Sequence, residues 1–459
     1  MPQPSDSSPT PERLTAPARS DEVGLGGRRA VRWGWAARPA TEMLPGHRLG
    51  LLTGGHDLCA ALVQAMDAAR SVIHLETYIF EFEGAPLTVA HALERAARRG
   101  VTVRLVVDGI GTGELPVEWR HRFAQAGVKW RVYVPLGRFG LLIPSRWRRL
   151  HRKLCVVDGV LGFCGGINLL DDHLDPNLGP LQFPRFDFAV RCAGPLVQDM
   201  ADTMLQLWWR MQAVRKVRQR EFAAAWQALK AGQAVGDFAQ WWQTARWSAS
   251  AGHVHTQSTH QAPPPLVDNA QARLVLRDNI WHRADIERAY LQAIAAAQHE
   301  VLLANAYFVP GKRILRALEQ AVKRGVTVRV LLQGQYEGFM QYHAARPVYA
   351  RLIQAGVDVR AYTPSALHAK VAVVDGQWAT VGSSNLDPLS LLLAREANVV
   401  TTDVRFAQDL RQRLHQALEH GASALDGASL FQRPLSQRLL DRVAFGLMRA
   451  VLFLTGHRY

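Results

Sequence analysis

Apolar and polar positions along the chain fall into two series of the same design. The apolar stretch Val72 to Phe80 (VIHLETYIF) is answered by Glu300 to Phe308 (EVLLANAYF). Residues 96–109 (AARRGVTVRLVVDG) recur as 321–334 (AVKRGVTVRVLLQG), and 123–133 (FAQAGVKWRVY) as 352–362 (LIQAGVDVRAY). Each series reads strand, helix (89–98 or 314–323), strand, helix (117–126 or 347–355), strand. Gly100, Gly127, Gly325 and Gly356 follow the helix-like stretches, where a left-handed residue ends a helix. Such a repeat governs the whole fold. Strands alternating with helices predict an α/β sandwich whose sheet is covered on both faces.

The segments outside the repeat have other patterns. Residues 1–44 contain six Pro up to Pro39, a scatter of Ser and Arg, and no apolar core of a leader peptide, which predicts a disordered tail. Residues 201–247 read as helical; Trp208, Trp209, Trp226, Trp241, Trp242 and Trp247 there are expected to pack in a core or interface. Residues 248–267 are small, polar and Pro-rich, as a linker is. The expected organisation is a tail (1–44), a first half (45–215), a helical segment with linker (216–268), a second half (269–430) and an amphipathic helix (431–459). In that last segment Arg438, Arg442 and Arg449 make one basic stripe on an apolar helix, a pattern suited to lying in a membrane surface. No run of apolar residues is long enough to predict a transmembrane helix.

Composition narrows the partners. Apolar residues at 48% and charged residues at 20% exclude a largely disordered or collagen-like chain. Lys plus Arg outnumber Asp plus Glu by 54 to 39, a formal charge of +15, which favours nucleic acid or an anionic membrane. Only 7 of the 54 basic residues are Lys, so a motif that demands Lys stands out. Cys59, Cys155, Cys164 and Cys192 show neither CxxC pairs nor zinc-ligand spacing, which fits a reducing compartment without a disulfide framework.

The chemistry sits in a segment that both halves share. HRKLCVVDGVLGFCGGIN carries His151, Lys153, Asp158, Gly165, Gly166 and Asn168; HAKVAVVDGQWATVGSSN carries His368, Lys370, Asp375, Gly382, Ser383 and Asn385. From the abundance of His, Lys and Asp, about 0.01 such triads are expected per chain by chance, so two in register are no accident. His and Lys two apart point to one side of a strand, and the Asp-Gly pairs suit a tight turn into the next strand. Asp158 and Asp375 complete each catalytic set, although at a strand–turn junction an Asp alone reads more readily as a turn or salt-bridge residue. Cleaving a phosphodiester needs a nucleophile, a proton donor for the leaving oxygen and positive charge on the other oxygens. One copy holds half of this; two copies facing across a pseudo-two-fold hold all of it, with no metal or other cofactor required.

These residues resemble the phospholipase D superfamily, whose hallmark is a duplicated HxKxxxxD motif, over about residues 47–430. LLANAYFVPG (302–311), ATVGSSNLDPLSL (379–391) and EANVV (396–400) are similar, more narrowly, to bacterial cardiolipin synthases of the B type. The resemblance implies duplicated α/β/α sandwich halves with the active site at their interface. It implies transfer of a phosphatidyl group through a phosphatidyl-histidine to the glycerol hydroxyl of phosphatidylglycerol. His151 and His368 fall on the catalytic histidines, with His151 as nucleophile by analogy. Lys153, Lys370, Asn168, Asn385 and Ser383 fall on phosphate- and substrate-binding positions. Asp187 in FDFAVR and Glu396 in REANVV, 36 and 28 residues past their histidines, occupy the His-orienting positions.

The expected partners are phosphatidylglycerol, with phosphatidylethanolamine as a further donor, and an anionic membrane at the cytoplasmic face of a bacterial cell, bound peripherally. The segment 137–150 (GRFGLLIPSRWRRL) interleaves Arg138, Arg146, Arg148 and Arg149 with Phe139, Leu141, Leu142, Ile143 and Trp147, which suits an interfacial loop or a flap over the site. Phospholipid hydrolysis and nucleic-acid phosphodiester cleavage stay open as alternatives. Nucleic acid is not expected, because apolar residues accompany the arginines and no aromatic-lined nucleic-acid module is recognisable. A catalytically dead scaffold would have lost a His or Lys, and none is lost.

Overall fold

The computed structural model of the protein describes residues 42–135, 137, 144–175, 178–219, 221–233, 266–278, 282–335, 339–387 and 394–425, with Val443 and Gly446. The tail, the linker, the helix expected over 431–459 and the apolar part of the 137–150 segment lie wholly or mainly outside these residues, as do Trp241, Trp242 and Trp247.

The first half forms β1 (Leu44–Thr53), α1 (Gly54–Ala68), β2 (Val72–Thr77), α2 (Gly84–Arg98), β3 (Thr102–Asp108), α3 (Val117–Ala126) and β4 (Lys129–Tyr133). There follow β5 (Arg149–Leu150), the hairpin β6 (Lys153–Val157) and β7 (Leu161–Gly165), the short β8 (Leu174–Asp175) and β9 (Gly179–Pro180), β10 (Phe188–Ala193), α4 (Pro195–Arg218) and α5 (Phe222–Gln233). The second half begins with β11 (Val267–Arg277), α6 (Asp285–Ala296), β12 (Glu300–Asn305), α7 (Lys312–Lys323), β13 (Thr327–Gln333) and α8 (Phe339–Gln354). It ends with β14 (Asp358–Tyr362), the hairpin β15 (Lys370–Val374) and β16 (Trp378–Gly382), β17 (Ala394–Thr401), α9 (Val404–His420) and β18 (Ala422–Ala424).

Strand order runs β1-β10-β7-β6-β2-β3-β4 in one half and β11-β17-β16-β15-β12-β13-β14 in the other, the same order twice. Antiparallel pairing of β1 with β11 joins the two into one sheet, so the pseudo-two-fold passes between these strands. In each half three strands are parallel, β2-β3-β4 and β12-β13-β14, as helical crossovers require. Helices α1, α2 and α3 cover one face of the first half and α6, α7 and α8 the matching face of the second. Between the halves lies a shared core in which Leu154, Phe188, Val371 and Val399 pack with Met200 and Met204 of α4 and Phe406 and Leu410 of α9. The fold is therefore α/β, duplicated, with helices on both faces.

Two helices are longer than the sequence pattern predicts. α2 begins at Gly84 rather than at residue 89. α8 begins at Phe339 and carries Pro347 inside it, where the pattern has Pro347 open the helix. Gly100, Gly127, Gly325 and Gly356 have φ of 91°, 88°, 89° and 88°, the left-handed conformation expected of them. Trp208 is buried, with the Arg131 guanidinium 4.1 Å from its ring centre, but Trp226 is solvent-exposed, contrary to the packing role expected of it.

Candidate active site

The site is built where β6 and β15 begin. His151 and Lys153 lie on one side of the chain and Arg152 on the other, as strand alternation requires. Arg152 faces inward and forms a buried bidentate pair with Glu76, at 2.5 and 3.1 Å, and a third bond to the carbonyl of Thr203 on α4. The second half has Ala369 and Ala304 at the equivalent places, both fully buried in the shared core.

The segments before the histidines cross to the opposite half. β5 pairs in parallel with the start of β17, and the amide of His151 donates to the carbonyl of Arg395 at 3.1 Å. Phe186 bridges Leu367 in parallel, and the amide of His368 donates to the carbonyl of Phe186 at 2.9 Å. Arg395 and Phe186 are the residues immediately before Glu396 and Asp187. The imidazoles follow their backbones: His151 Nδ1 lies 2.9 and 3.1 Å from the Glu396 carboxylate oxygens, and His368 Nδ1 lies 2.7 Å from Asp187 Oδ2.

This corrects the pairing expected from the chain. Each acid pairs with the histidine of the other half, because the inter-half ladders set His151 beside Glu396 and His368 beside Asp187. A carboxylate accepting from Nδ1–H leaves the Nε2 lone pair as the reactive position of each ring.

The ammonium groups of Lys153 and Lys370 turn back on their own motifs, Lys153 Nζ donating to the His151 carbonyl at 2.7 Å and Lys370 Nζ to that of His368. Both lysines are buried. Burial lowers the Lys153 ammonium to about 7, against the pull of Glu396 and with the repulsion of Lys370. Burial also lowers His151, which Glu396 partly offsets, and takes His368 well below its ordinary value with help from Lys370 and Lys153. The same burial raises the Asp187 carboxyl to about 7, against the pull of Lys370. Burial thus favours the neutral imidazole at both positions.

Other expected residues have different places. The Ser383 hydroxyl donates to Glu396 Oε2 and its side chain is fully buried, so it braces the carboxylate that holds His151. The first half has Gly166 there, and a Cβ at Gly166 would stand 2.4 Å from Asp187 Oδ1. The shorter acid therefore requires glycine beneath it and the longer one takes serine. Asn168 is buried and accepts weakly from the Ile79 amide at 3.4 Å; Asn385 is buried at the equivalent place.

Asp158 and Asp375 are remote from the imidazoles. Each follows the last residue of a five-residue strand that starts at the lysine, about 15 Å away along it. Asp158 accepts from the amides of Arg70, Ser71 and Val72 and from the Ser71 hydroxyl, at 2.7–2.9 Å. Asp375 accepts from the amides of Gln298, His299 and Glu300, each at 2.8 Å. With φ of 49° and 52° they open the hairpin turns, and with their carboxylates they tie those turns to the first strand of each parallel set.

Three residues were not singled out from the sequence. Tyr78 sets its ring edge-on to His151, centroids 5.0 Å apart, and 5.4 Å from Lys153 Nζ. Asp108 accepts from the Leu150 amide at 2.8 Å and Gln333 from the Leu367 amide at 3.2 Å, so each holds the residue before a histidine. The repeat held a signal for Asp108 and Gln333, because they stand at matching places near the end of VTVRLVVDG and VTVRVLLQG. Among the described residues no group of three His, Cys, Asp or Glu side chains is placed to hold a metal ion.

Comparison with known proteins agrees with the duplication. The family described as "Cardiolipin synthase, PLD-like domain" matches residues 62–179 and 290–418, one segment in each half. Cardiolipin synthase B of Shigella flexneri is 35% identical over 411 residues, 90% of each chain. A cardiolipin synthase of Geobacillus thermodenitrificans is 28% identical over 400 residues, 86% of this chain and 70% of that one. Among solved structures, phosphatidylserine synthase of Haemophilus influenzae superimposes with a TM-score of 0.59 at 12% identity, covering 89% of this chain and 96% of that one, a likeness of fold. On the matched segments in both halves and the identity over nine-tenths of its length, the chain belongs to the cardiolipin synthase family, with its duplicated phospholipase D-like domain.

Proposed function

We propose that the protein transfers a phosphatidyl group from phosphatidylglycerol to the glycerol hydroxyl of a second phosphatidylglycerol, giving cardiolipin and glycerol. The observation that carries this is the pair of buried histidines, each held through Nδ1 by an acid of the other half, with a buried lysine two residues on. The full-length likeness to cardiolipin synthase B supports the choice of substrate.

In the first step Nε2 of one histidine attacks phosphorus, a P–N bond forms, the P–O bond to the headgroup breaks, and the other histidine gives its proton to the leaving oxygen. By analogy with relatives, we propose His151 for the attack. In the second step that other histidine takes the proton of the incoming glycerol hydroxyl, a new P–O bond forms and the P–N bond breaks. Protons and bonds balance over the two steps. Lys153, Lys370 and the amides of Asn168 and Asn385 would hold the non-bridging oxygens, and the anionic phosphate would favour the protonated form of the acid histidine.

The enzyme is read as peripheral, at the cytoplasmic face of the membrane. Among the described residues no helix is long and apolar enough to cross a membrane. The test is to incubate the purified protein with phosphatidylglycerol vesicles and EDTA and to follow products by mass spectrometry. Cardiolipin and glycerol, absent with His368→Ala, support the transferase. Phosphatidic acid alone would make the enzyme a hydrolase, and no lipid product would overturn the reading.

A further inference from the structure

We propose that the tip of the α4–α5 hairpin, past the β4 edge of the sheet, is a docking surface for an anionic phospholipid bilayer. The choice of a bilayer rests on the lipid reading of the site; the position of the tip rests on geometry alone.

β10 leaves the site at Asp187 and ends at Ala193, and α4 begins two residues later at the far end, where the Leu196 amide donates to His47. From there α4 runs back. Its Thr203 carbonyl accepts from Arg152, beside His151. Arg210 is close enough to Arg395 and Tyr133 to be repelled by one and attracted by the other, and Arg395 precedes Glu396. Trp208 and Gln212 then lie over Arg131 on β4, so α4 has crossed the sheet from β1 to β4, six strand spacings or about 29 Å, and at about 36 Å its last turns pass the β4 edge.

The character of the helix changes where it overshoots. Leu205, Leu207, Trp208 and Ala213 are buried, but Val214 is 55% exposed and Val217 48%. On α5, Phe222 is 67% exposed and Trp226 59%, with Lys230 Nζ 5.7 Å from the Trp226 ring. Four exposed aliphatic and aromatic side chains within 13 residues are not how a soluble surface is normally finished. Charge selects what covers it: residues 210–230 hold six Lys or Arg and one acid, Glu221, which pairs with Lys216 at 2.6 Å. Two such tips would repel each other, whereas an anionic headgroup layer would attract them and accept the aromatics at the acyl boundary.

The test uses the full chain and its Phe222→Glu/Trp226→Glu variant, two exposed positions outside the catalytic machinery. Co-sedimentation with phosphatidylglycerol vesicles and with phosphatidylcholine vesicles reads the docking, and turnover of a short-chain, monomeric phosphatidylglycerol reads the site. The expected result is preference for the anionic vesicles, loss of about a hundredfold in their binding by the variant, and unchanged turnover of the monomeric lipid. Unchanged vesicle binding would overturn the proposal, as would a variant that only shifts a dimer to monomer by ultracentrifugation. If the wild-type chain turns over neither lipid form, the transferase reading fails while the binding comparison still decides the docking surface.

Discussion

Glu396 holds the Nδ1 of His151 at 2.9 Å although 245 residues separate them, and the reciprocal bond from His368 to Asp187 spans 181. Neither histidine takes its Nδ1 partner from its own half. The site exists only when both halves are folded and joined, which ties the duplication of the motif to the geometry of a single active centre.

Glu396→Gln should therefore act on His151, not on the nearer motif of its own half. The amide is isosteric but uncharged and can no longer support an imidazolium or enforce the Nδ1–H tautomer. A fall in kcat of about a thousandfold is expected, with KM little changed. Asp187→Asn should do the same through His368. Steady-state kinetics on phosphatidylglycerol check both, and near-wild-type turnover in either would refute an orienting role.

The pH profile should carry the mark of Lys153. Its ammonium is lowered to about 7, so the positive charge is complete below that pH and is lost as pH rises through it. Both histidines are lowered from 6.5, so the neutral nucleophile persists to more acid pH than free imidazole allows. The kcat/KM profile should fall on its alkaline side by about pH 7, the lowered acid histidine beginning the fall and Lys153 completing it. Lys153→Arg, whose guanidinium stays charged, should move that limb upward even as absolute activity drops. A limb that stays in place would assign it to the acid histidine instead.

Much of this was legible in the chain because a duplication prints every essential position twice. His151, Lys153 and Asn168 stand out only when read against His368, Lys370 and Asn385. The crossing of the acids was not legible, since sequence distance ranks Asp187 with His151, and only the inter-half ladders at 149–151 and 186–187 reverse that order. The sequence sets Ser383 beside Asn385 among the substrate-binding positions; that its hydroxyl reaches Glu396 depends on Glu396 being one methylene longer than Asp187. Tyr78 was hidden for the opposite reason: where the repeat aligns it with Ala306 the halves differ, so repetition could not point to it.

The aspartates of the two motifs should separate stability from catalysis. Removing the Asp158 carboxylate leaves the amides of Arg70, Ser71 and Val72 and a serine hydroxyl without their acceptor and deprives a left-handed turn position of a tolerant residue. Asp158→Ala is expected to lose about 2–4 kcal/mol of stability. The folded fraction should keep its kcat, since no imidazole or ammonium group loses a partner. Thermal melting alongside turnover corrected for folded protein checks this, and a collapse of kcat in well-folded protein would return Asp158 to the catalytic set.

Arg152 and Glu76 offer a sharper test, because the second half already displays the alternative. Arg152→Ala alone would leave the Glu76 carboxylate buried without its cation, and breaking such a pair costs about 3–5 kcal/mol. Arg152→Ala/Glu76→Ala instead reproduces the Ala369 and Ala304 arrangement, which is fully buried and well packed in the shared core. The double variant should melt well above the single one, although it leaves more empty volume, because an unpaired buried charge is worse than a small cavity. Arg152 also lies between His151 and Lys153, so its guanidinium fixes the backbone from which both project. The double variant should accordingly regain stability more fully than it regains kcat. Equal melting of single and double variants would show that volume rather than charge governs this position.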